Sequence, residues 1–178
     1  MFQIQDDEIE NTDGLNERQQ EMYDIISEMI QNMFWEDEPE EIIIRVIAPA
    51  GHGKTFVCKI IQRNHRRIDI VFCAPTRQAC SVLTRDGCRN VKTIHQLFRA
   101  EQTYDENGKT KFVLGECMLE HPRRYVCIVD EGSMVNDDCA FTILETFDYI
   151  IVLGDPMQLP PVQNEDTVTD SGKLHGIT

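Results

Sequence analysis

A glycine-rich loop that ends in a lysine and a threonine is the first feature of this sequence that could perform chemistry. The run APAGHGKT occupies residues 48–55, directly after an apolar segment and before a helical pattern. Glycines let consecutive backbone N–H groups point at one anion, Lys54 can reach the β- and γ-phosphates of a nucleotide, and Thr55 can offer a hydroxyl to Mg²⁺. Ala48 stands where the usual motif has its first glycine. The residues predicted to bind phosphate and Mg²⁺ are Gly51, His52, Gly53, Lys54 and Thr55.

Two acidic residues and a glutamine follow other apolar segments and could complete a site for nucleotide hydrolysis. Asp130 and Glu131 come directly after the run YVCIV at residues 125–129. An aspartate there can hold hydrated Mg²⁺, and the adjacent glutamate can polarise the water that attacks a γ-phosphate. Gln158 lies in the run GDPMQLPPV at residues 154–162, where its neutral amide can sense a terminal phosphate. The predicted catalytic residues are Lys54, Glu131 and Gln158, and the predicted metal ligands are Thr55 and Asp130.

The elements that must position these residues form an alternation of strands and helices. Short, mostly apolar runs predict strands, each buried on both faces of a sheet, at residues 42–47, 68–73, 125–129 and 149–153. Helical patterns lie near residues 54–65, 76–86, 93–100 and 137–147. This alternation is typical of an α/β domain with a parallel β-sheet flanked by helices, whose ligands bind at the carboxyl ends of the strands.

A further helix is predicted before the first strand, and a hairpin is predicted within the alternation. Apolar residues at three- and four-residue steps place on one helix face Leu15, Met22, Ile25, Ile26, Met29, Ile30 and Met33. Asn107-Gly108 between β-prone residues is a local signal for a tight hairpin. We therefore expect a small antiparallel β-hairpin inserted over about residues 102–114.

Composition and charge exclude several classes of function. The 178 residues are 41% hydrophobic, which suits one compact domain with its own core. The 17 Lys and Arg against 31 Asp and Glu give a net charge of -14, which argues against a generally basic nucleic-acid coat or a polybasic membrane binder. Any anionic ligand must therefore be held by a local site. The N-terminus lacks the pattern of a signal peptide and no apolar run reaches membrane-spanning length, so we expect an intracellular protein without a membrane partner.

Seven cysteines without a C-x-x-C pair favour reduced thiols in the core over disulfides. A zinc site would need ligands from well-separated positions, and the candidates are Cys73, Cys80, Cys88 and His95. Because ligand sets without paired spacing are usually accidental, no structural metal is expected.

Six short motifs follow one another in a specific order. They are LNERQ at residues 15–19, the loop at 48–55, APTRQA at 74–79, TIH at 93–95, DEGSM at 130–134 and GDPMQL at 154–159. Together they resemble the ordered motifs of the superfamily 1 helicases, and especially those of the RecD- and Dda-like branch. The resemblance covers residues 15–162 and implies a RecA-like P-loop NTPase domain that uses ATP and Mg²⁺.

The resemblance assigns roles to residues that spacing alone does not single out. Gln19 would read the adenine base. The floor of a single-strand channel, where backbone amides and hydroxyls grip phosphates without a basic coat, would comprise Pro75, Thr76, Thr93 and His95. The hairpin falls where this branch carries its strand-separating pin, so the candidates to stack on the last base pair are Tyr104 and Phe112.

The resemblance also predicts the domain organisation and the activity. Residues 1–14 would be a flexible tail, 15–162 the first motor domain, and 163–178 a polar segment leading toward a second RecA-like domain with an arginine finger. The whole protein would couple ATP hydrolysis to 5′ to 3′ movement on single-stranded DNA, rather than RNA, and to unwinding. The isolated domain would bind ATP weakly and hydrolyse it slowly. A fragment of a longer protein and a naturally short protein both fit this sequence.

Two other functions stay open at this point. An ATP-gated module could hold nucleic acid or a partner without unwinding, and stimulation of hydrolysis by single strands would distinguish it from a motor. An unrelated P-loop kinase or small-molecule NTPase could share the phosphate loop. That second alternative leaves the TIH motif at residues 93–95 and the predicted hairpin unexplained.

Overall fold

Helices and strands alternate through the residues that this computed structural model describes, which are 14–32, 41–49, 51–155 and 157. The α-helices are α1 (Glu17–Asn32), α2 (Lys54–Asn64), α3 (Arg77–Arg85), α4 (Ile94–Leu97) and α5 (Asp137–Thr146). The strands are β1 (Ile42–Ile47), β2 (Asp69–Ala74), β3 (Val91–Thr93), β4 (Glu101–Tyr104), β5 (Thr110–Val113), β6 (Tyr125–Val129) and β7 (Tyr149–Gly154). Short 3-10 helices span Pro122–Arg124 and Gly132–Met134.

Five of the described strands form one parallel sheet in the order β1-β7-β6-β2-β3. Parallel neighbours need crossover connections, and the helices between the strands supply them. The predicted α/β fold with a parallel sheet is therefore confirmed. The sequence does not predict β3, because the three residues Val-Lys-Thr are too few to show the alternation of a strand. Pairing with β2 defines this strand.

β1 has one face exposed, so the predicted burial on both faces is wrong for this strand. Ile43 and Ile47 are 44% and 59% exposed, and alternate residues of a strand share a face. Ile42, Ile44 and Val46, on the other face, pack against the core that includes α1. By contrast, β2 and β6 are buried at every position after their first residue. The one charged residue of β1, Arg45, lies on the exposed face, so the sequence carried a signal for this face that the apolar neighbours of Arg45 obscure.

Helices pack on both faces of the sheet and create two apolar cores. Along β2, Ile70 and Phe72 point into the core that includes α1, α2 and α3. Val71 and Cys73 point into the other core, which includes α4 and α5. The sheet is therefore the middle layer of three, and the strand ends remain free for a site along its carboxyl edge.

The buried face of α1 differs in part from the predicted one. Ile26 and Ile30 are fully buried as predicted, whereas Ile25 is 49% exposed and Tyr23 is only 1% exposed. The Tyr23 hydroxyl accepts a hydrogen bond from Asn64 of α2 at 3.1 Å. This tyrosine belongs to the packed face because its hydroxyl finds a buried partner, which a count of aliphatic residues overlooks. The predicted position Met33 lies outside the described residues.

The predicted inserted hairpin is present and consists of β4 and β5. The N–H of Asp105 donates to the carbonyl of Lys109 at 2.9 Å, and the N–H of Gly108 donates to the carbonyl of Asp105 at 3.0 Å. Gly108 has a φ angle of 75°, while Asn107 is not among the residues with positive φ. The turn is therefore a three-residue loop with glycine in the left-handed position, and not the two-residue Asn-Gly turn.

All seven cysteines are free thiols, and five of them are buried. Burial raises the pKa of Cys88 to about 11, so this thiol stays protonated at neutral pH. Within the described ranges no group of three or more His, Cys, Asp or Glu side chains could hold a metal ion. None of the described helices is long and apolar enough to cross a membrane.

Candidate functional site

The glycine-rich loop joins β1 to α2 at the carboxyl edge of the sheet. Gly51 and Gly53 have φ angles of 78° and 77°, a left-handed conformation that glycine adopts without steric cost. α2 begins at Lys54, with Gly53 as its N-cap. The first N–H groups of a helix have no partner within the helix, and they lie at the positive end of its dipole. The loop therefore offers backbone donors to an anion, as the sequence predicts.

Lys54 is held by carbonyl groups of the loop itself. Its Nζ donates hydrogen bonds to the carbonyl oxygen of Ala48 and, at 3.1 Å, to that of Pro49. These acceptors are neutral, whereas phosphate oxygens form stronger, charge-assisted hydrogen bonds with an ammonium group. Lys54 can therefore exchange its hydrogen bonds with these carbonyl groups for stronger ones with a bound phosphate.

Gln19 lies against the phosphate loop. Its Nε2 donates to the carbonyl oxygen of His52 at 3.0 Å, and its Oε1 accepts from the N–H of Asn16 at 3.1 Å. The N–H of Gln19 in turn donates to the Asn16 side chain at 3.0 Å, so α1 starts with reciprocal hydrogen bonds. The structure thereby brings Gln19 to the loop, and the reading of adenine by its amide stays a prediction.

Asp130 and Glu131 leave β6 at the same edge of the sheet, on a turn with a constrained backbone. The N–H of Glu131 donates to the Asp130 carboxylate at 3.0 Å. Glu131 has a φ angle of 53°, which is uncommon and strained for a residue other than glycine. The following Gly132 packs so closely on Val152 that a Cβ atom would clash. This packing against β7 stabilises the strained turn, from which both carboxylates line the same cavity.

Residues of the phosphate loop and the acidic pair line one cavity of about 350 Å³. Its predicted lining residues are Gly51, Gly53, Lys54, Thr55, Asp130 and Glu131. Lining residues that the sequence does not single out include Phe56, Val82, Asp86 and Asp155. Phe56 directly follows the phosphate loop and Asp155 lies inside the GDPMQL motif, so both could have been found from their positions. Val82 and Asp86 lie on or beside α3, and no local signal connects them with the phosphate loop.

The cavity changes the acidity of both carboxyl groups. Burial raises the pKa of Asp130 above its ordinary value, and the Glu131 N–H and the Lys54 charge offset part of this effect. The pKa of Glu131 is raised mainly by burial and, to a smaller extent, by the nearby charge of Asp130. A hydrogen bond from Thr76 lowers it. A glutamate with a raised pKa is a stronger base, which suits the role predicted for Glu131.

The donor set on the cavity walls fits a magnesium ion. Mg²⁺ prefers oxygen ligands and keeps several waters, so it needs few protein side chains besides substrate phosphates. Thr55 and Asp130 supply a hydroxyl and a carboxylate to the same cavity. Asp130 forms no ion pair with a basic side chain in the described part of the chain. A bound cation would therefore offset the cost of burying this charge.

Replacing Asp130 by asparagine should stabilise the chain at neutral pH. A folded-state pKa above the unfolded one contributes stability only at low pH, and this contribution is lost as the pH rises through the folded pKa. At pH 7 the wild type thus carries a burial penalty that Asp130→Asn removes. The midpoint of urea denaturation should be higher for the variant at pH 7, and the difference should vanish below about pH 3.9, the ordinary pKa of aspartate.

Asp69→Asn is the matched control, because Asp69 is exposed at the start of β2, outside the cavity. We expect this variant to follow the wild type across the same pH range. A stability gain that is equal for both variants, or one that persists unchanged at low pH, would contradict burial of the Asp130 charge as its cause.

The structure also brings together the residues predicted for the channel floor. Ala74 at the end of β2 pairs with Thr93 at the end of β3, so the segments that follow both strands leave the sheet side by side. Thr76 is the N-cap of α3, and its hydroxyl accepts a hydrogen bond from a backbone N–H at 3.1 Å. Thr93 caps α4 in the same way. Pro75 and His95 are half-buried beside these two caps.

The hairpin contacts this floor through one aromatic pair. The rings of His95 and Phe112 lie edge to face with their centroids 5.2 Å apart. Strand pairing puts Tyr104 opposite Thr110, two residues from Phe112, so Tyr104 and Phe112 share one face of the hairpin. Their exposed fractions are 66% and 52%. Gln158, the predicted γ-phosphate sensor, lies outside the described residues.

Comparisons with known proteins agree with this geometry. A family model described as an AAA domain matches residues 31–164. The ATP-dependent DNA helicase dda of Enterobacteria phage T4 is 29% identical over 161 residues, which cover 85% of this chain and 34% of that protein. An uncharacterized protein of Acanthamoeba polyphaga mimivirus is 27% identical over 144 residues, covering 67% of this chain and 29% of that protein. This chain thus spans about a third or less of the length of these relatives.

Solved structures share the fold. The crystal structure of Bacteroides sp. Pif1 in complex with ADP-AlF4 has a TM-score of 0.56 at 22% identity, covering 85% of this chain and 34% of that one. A structure of two coordinating Pif1 helicases that unwind forked DNA has a TM-score of 0.55 at 24% identity, covering 85% and 36%. The chain therefore has the RecA-like fold of these structures, and the family model that matches residues 31–164 shows that it belongs to the AAA domain family.

Proposed function

We propose that this chain is the first motor domain of an ATP-dependent DNA helicase. It would bind ATP with Mg²⁺, hydrolyse it, and couple hydrolysis to movement along single-stranded DNA and to duplex unwinding. The observation that carries the proposal is that Lys54, Asp130 and Glu131 all line the cavity of about 350 Å³. Likeness to the dda helicase supports the assignment to DNA.

The hydrolysis step follows from the groups around this cavity. Backbone N–H groups of the loop and the Lys54 ammonium hold the β- and γ-phosphates. Glu131 accepts a proton from a water molecule while the water oxygen attacks the γ-phosphorus. The bond to the bridging oxygen breaks, and ADP leaves with that oxygen. Thr55 and Asp130 would hold Mg²⁺, which would neutralise charge on the phosphates.

Two amides are proposed to report on the nucleotide. Gln19 would contact the adenine, and its hydrogen bond to the His52 carbonyl supports a link between base binding and the phosphate loop. Gln158 would contact the γ-phosphate and sense whether hydrolysis has occurred. Both are neutral side chains that donate and accept hydrogen bonds without cancelling phosphate charge.

Nucleic acid would bind across the adjacent ends of β2 and β3. The proposed floor consists of Pro75, Thr76, Thr93 and His95, and the hairpin that carries Tyr104 and Phe112 would separate the strands. A second RecA-like domain would supply an arginine finger and the other half of the single-strand clamp. The direction of movement would be 5′ to 3′, as in the branch that this sequence resembles.

The test is ATP hydrolysis at low salt with and without single-stranded DNA. It should use this chain and also a version extended past Thr178 if its gene continues. We expect strong stimulation of the extended protein by DNA, and weaker stimulation by RNA of the same sequence. If DNA changes neither the rate of ATP hydrolysis nor the affinity for ATP, the proposed motor function is refuted. The chain would then be better explained as an unrelated P-loop NTPase. If DNA and ATP influence each other's binding without stimulated turnover, an ATP-gated binding module remains.

A further inference from the structure

Four exposed arginines lie at the amino edge of the sheet, opposite the edge that carries the nucleotide cavity. Arg67 comes just before β2, Arg89 just before β3 and Arg124 directly before β6. Arg66 lies beside Arg67 in the turn between α2 and β2. Because β3, β2 and β6 are neighbours in a parallel sheet, the arginines before them form one group, here named the amino-edge arginines.

Hydrogen bonds and strand register hold the backbone of this group together. Gln62 of α2 donates through Nε2 to the carbonyl oxygen of Arg89 at 3.0 Å, and its Oε1 accepts from the N–H of Arg89 at 2.8 Å. The end of α2 is therefore tied to the loop before β3. The register pairs the first residue of β2 with the first residue of β6, which brings Arg67 close to Arg124. The fold thus assembles the group from three separate segments of the chain.

The amino-edge arginines gather positive charge in a chain whose net charge is -14. The ion pairs between described side chains are Arg85 with Asp86 and Arg123 with Asp148, and neither pair involves this group. Like charges that lie close together repel one another, so the fold gains no stability from the cluster. An anionic partner would offset this repulsion, and the acidic remainder of the surface would direct such a partner to this edge.

The side chains at this edge suit the phosphates of a duplex better than a single strand. A guanidinium group binds a phosphate through two parallel hydrogen bonds, and a group made only of arginines repeats this geometry. Sites for single strands add aromatic rings on which bases stack. In the described ranges the exposed phenylalanines and tyrosines lie elsewhere, in the first turn of α2, on the hairpin and on α5: Phe56, Tyr104, Phe112 and Phe141. Contacts to the backbone of a duplex need no such rings.

We propose that the amino-edge arginines bind the phosphate backbone of the duplex in a forked DNA, while its single strand lies on the floor at the opposite edge. This inference rests on the proposed function, which supplies the floor and the strand-separating hairpin. β2 connects the two edges and has six residues, so the edges are about 20 Å apart at about 3.3 Å per residue. A duplex rises about 3.4 Å per base pair, so about six base pairs cover this distance. A fork with a longer duplex can therefore contact both edges at once.

Two triple variants separate the charge of these arginines from any structural role. The first carries Arg67→Gln, Arg89→Gln and Arg124→Gln, and the second has lysine at the same three positions. Lysine keeps the charge and still binds phosphate, although without the bidentate geometry. Arg66 is left unchanged, because its Nε donates to the carbonyl oxygen of Arg63 at 3.2 Å and helps to end α2. The three replaced side chains are exposed, so both variants should keep the wild-type melting temperature.

The readout is the anisotropy of labelled DNA at several salt concentrations, without nucleotide. The ligands are a short oligo(dT), a long oligo(dT), and a fork that joins the short oligo(dT) to a duplex of about 20 base pairs, longer than the distance between the edges requires. The proteins are this chain and, if its gene continues, the version extended past Thr178. We expect the wild type to bind the fork more tightly than either single strand.

The glutamine variant should bind the fork about tenfold more weakly than the wild type, since each exposed charge pair contributes up to about fivefold. The slope of log K against log salt should become shallower by about three, at about 0.9 for each lost phosphate contact. Affinity for both single strands and the rate of ATP hydrolysis without DNA should match the wild type, because none of the three arginines lines the cavity. The lysine variant should keep most of the fork affinity and of the slope.

Removal of a nearby negative charge should have the opposite effect. Asp69, the first residue of β2, is exposed and follows Arg67 closely in the chain. Asp69→Asn should strengthen binding of the fork by about twofold to fivefold, because less repulsion opposes the duplex. Glu21→Gln removes the same charge from an exposed position on α1 and is the control that should leave fork affinity unchanged.

The outcomes distinguish this inference from the proposed function. If the glutamine variant binds the fork as tightly as the wild type, the duplex site is refuted, while DNA-stimulated hydrolysis can still support the motor. Equal weakening for the fork and both single strands would indicate a general effect of charge and would also refute the site. If the wild type binds DNA in none of the three forms, the proposed function fails and this inference fails with it. Loss confined to the fork, with recovery in the lysine variant, would support both.

Discussion

Replacing Glu131 by glutamine should lower the rate of ATP hydrolysis by about 10²- to 10⁴-fold, which is what a positioned general base contributes. Glutamine has nearly the same shape but cannot take a proton from water. ATP should still bind, because the phosphate loop and Asp130 are unchanged. Single-turnover hydrolysis at saturating ATP measures the loss, and the fluorescence of a labelled ATP analogue measures the retained affinity.

The dependence on pH gives this prediction a second signature. Burial and the charge of Asp130 raise the pKa of Glu131, so protonation of its carboxylate begins at a higher pH than for an ordinary glutamate. The wild-type rate should therefore fall as the pH is lowered through that pKa, whereas the residual rate of Glu131→Gln should not follow this transition. Glu116→Gln, which alters an exposed glutamate outside the cavity, is the control and should keep the wild-type rate. A Glu131→Gln rate within a fewfold of the wild type would exclude Glu131 as the base.

The parts of the site that lie close together in the chain could be predicted from the sequence. Lys54 and Thr55 end a glycine-rich run, and Asp130 and Glu131 end an apolar one. Because strands that are parallel finish at the same edge, predicting a parallel sheet was enough to predict that these groups meet. The cavity that they line confirms this meeting, which depends only on strand direction and local spacing.

Contacts between distant segments could not be predicted in the same way. Thr76 and Glu131 are 55 positions apart, and Gln19 and His52 are 33 apart, so no sequence period connects them. Their distances depend on how α1 and α3 pack on the sheet, and that packing depends on the shapes of many side chains. The exposed face of β1 was missed for another reason: Arg45 shares this face with Ile43 and Ile47 and marks it as exposed, but it is one charged residue among five apolar ones.

Replacing Lys54 by alanine should weaken ATP binding by about 10- to 100-fold, since hydrogen bonds to a charged group contribute about 1.5–3 kcal/mol. This loss of affinity should be larger than the loss on removing any neutral contact in the loop. The reason is that the Lys54 ammonium contacts the phosphates, which are the most highly charged part of the nucleotide. The fold should survive: Lys54 is the first residue of α2, alanine is a strong helix former, and the carbonyls of Ala48 and Pro49 lie where water can replace the ammonium. Titration with a fluorescent ATP analogue measures affinity, and circular dichroism verifies the fold.

Lys59→Ala is the matched control for Lys54→Ala. Lys59 lies on the same helix and is exposed, and it is not among the residues that line the cavity. Both variants remove one positive charge from α2, so a general electrostatic effect on the nucleotide would weaken binding in both. A selective loss in Lys54→Ala requires direct contact with phosphate, whereas equal affinities for the two variants would mean that the loop holds the nucleotide through its backbone alone. The second result would also remove the reason why Lys54 should leave the Ala48 and Pro49 carbonyls, and with it the proposed route from binding to hydrolysis.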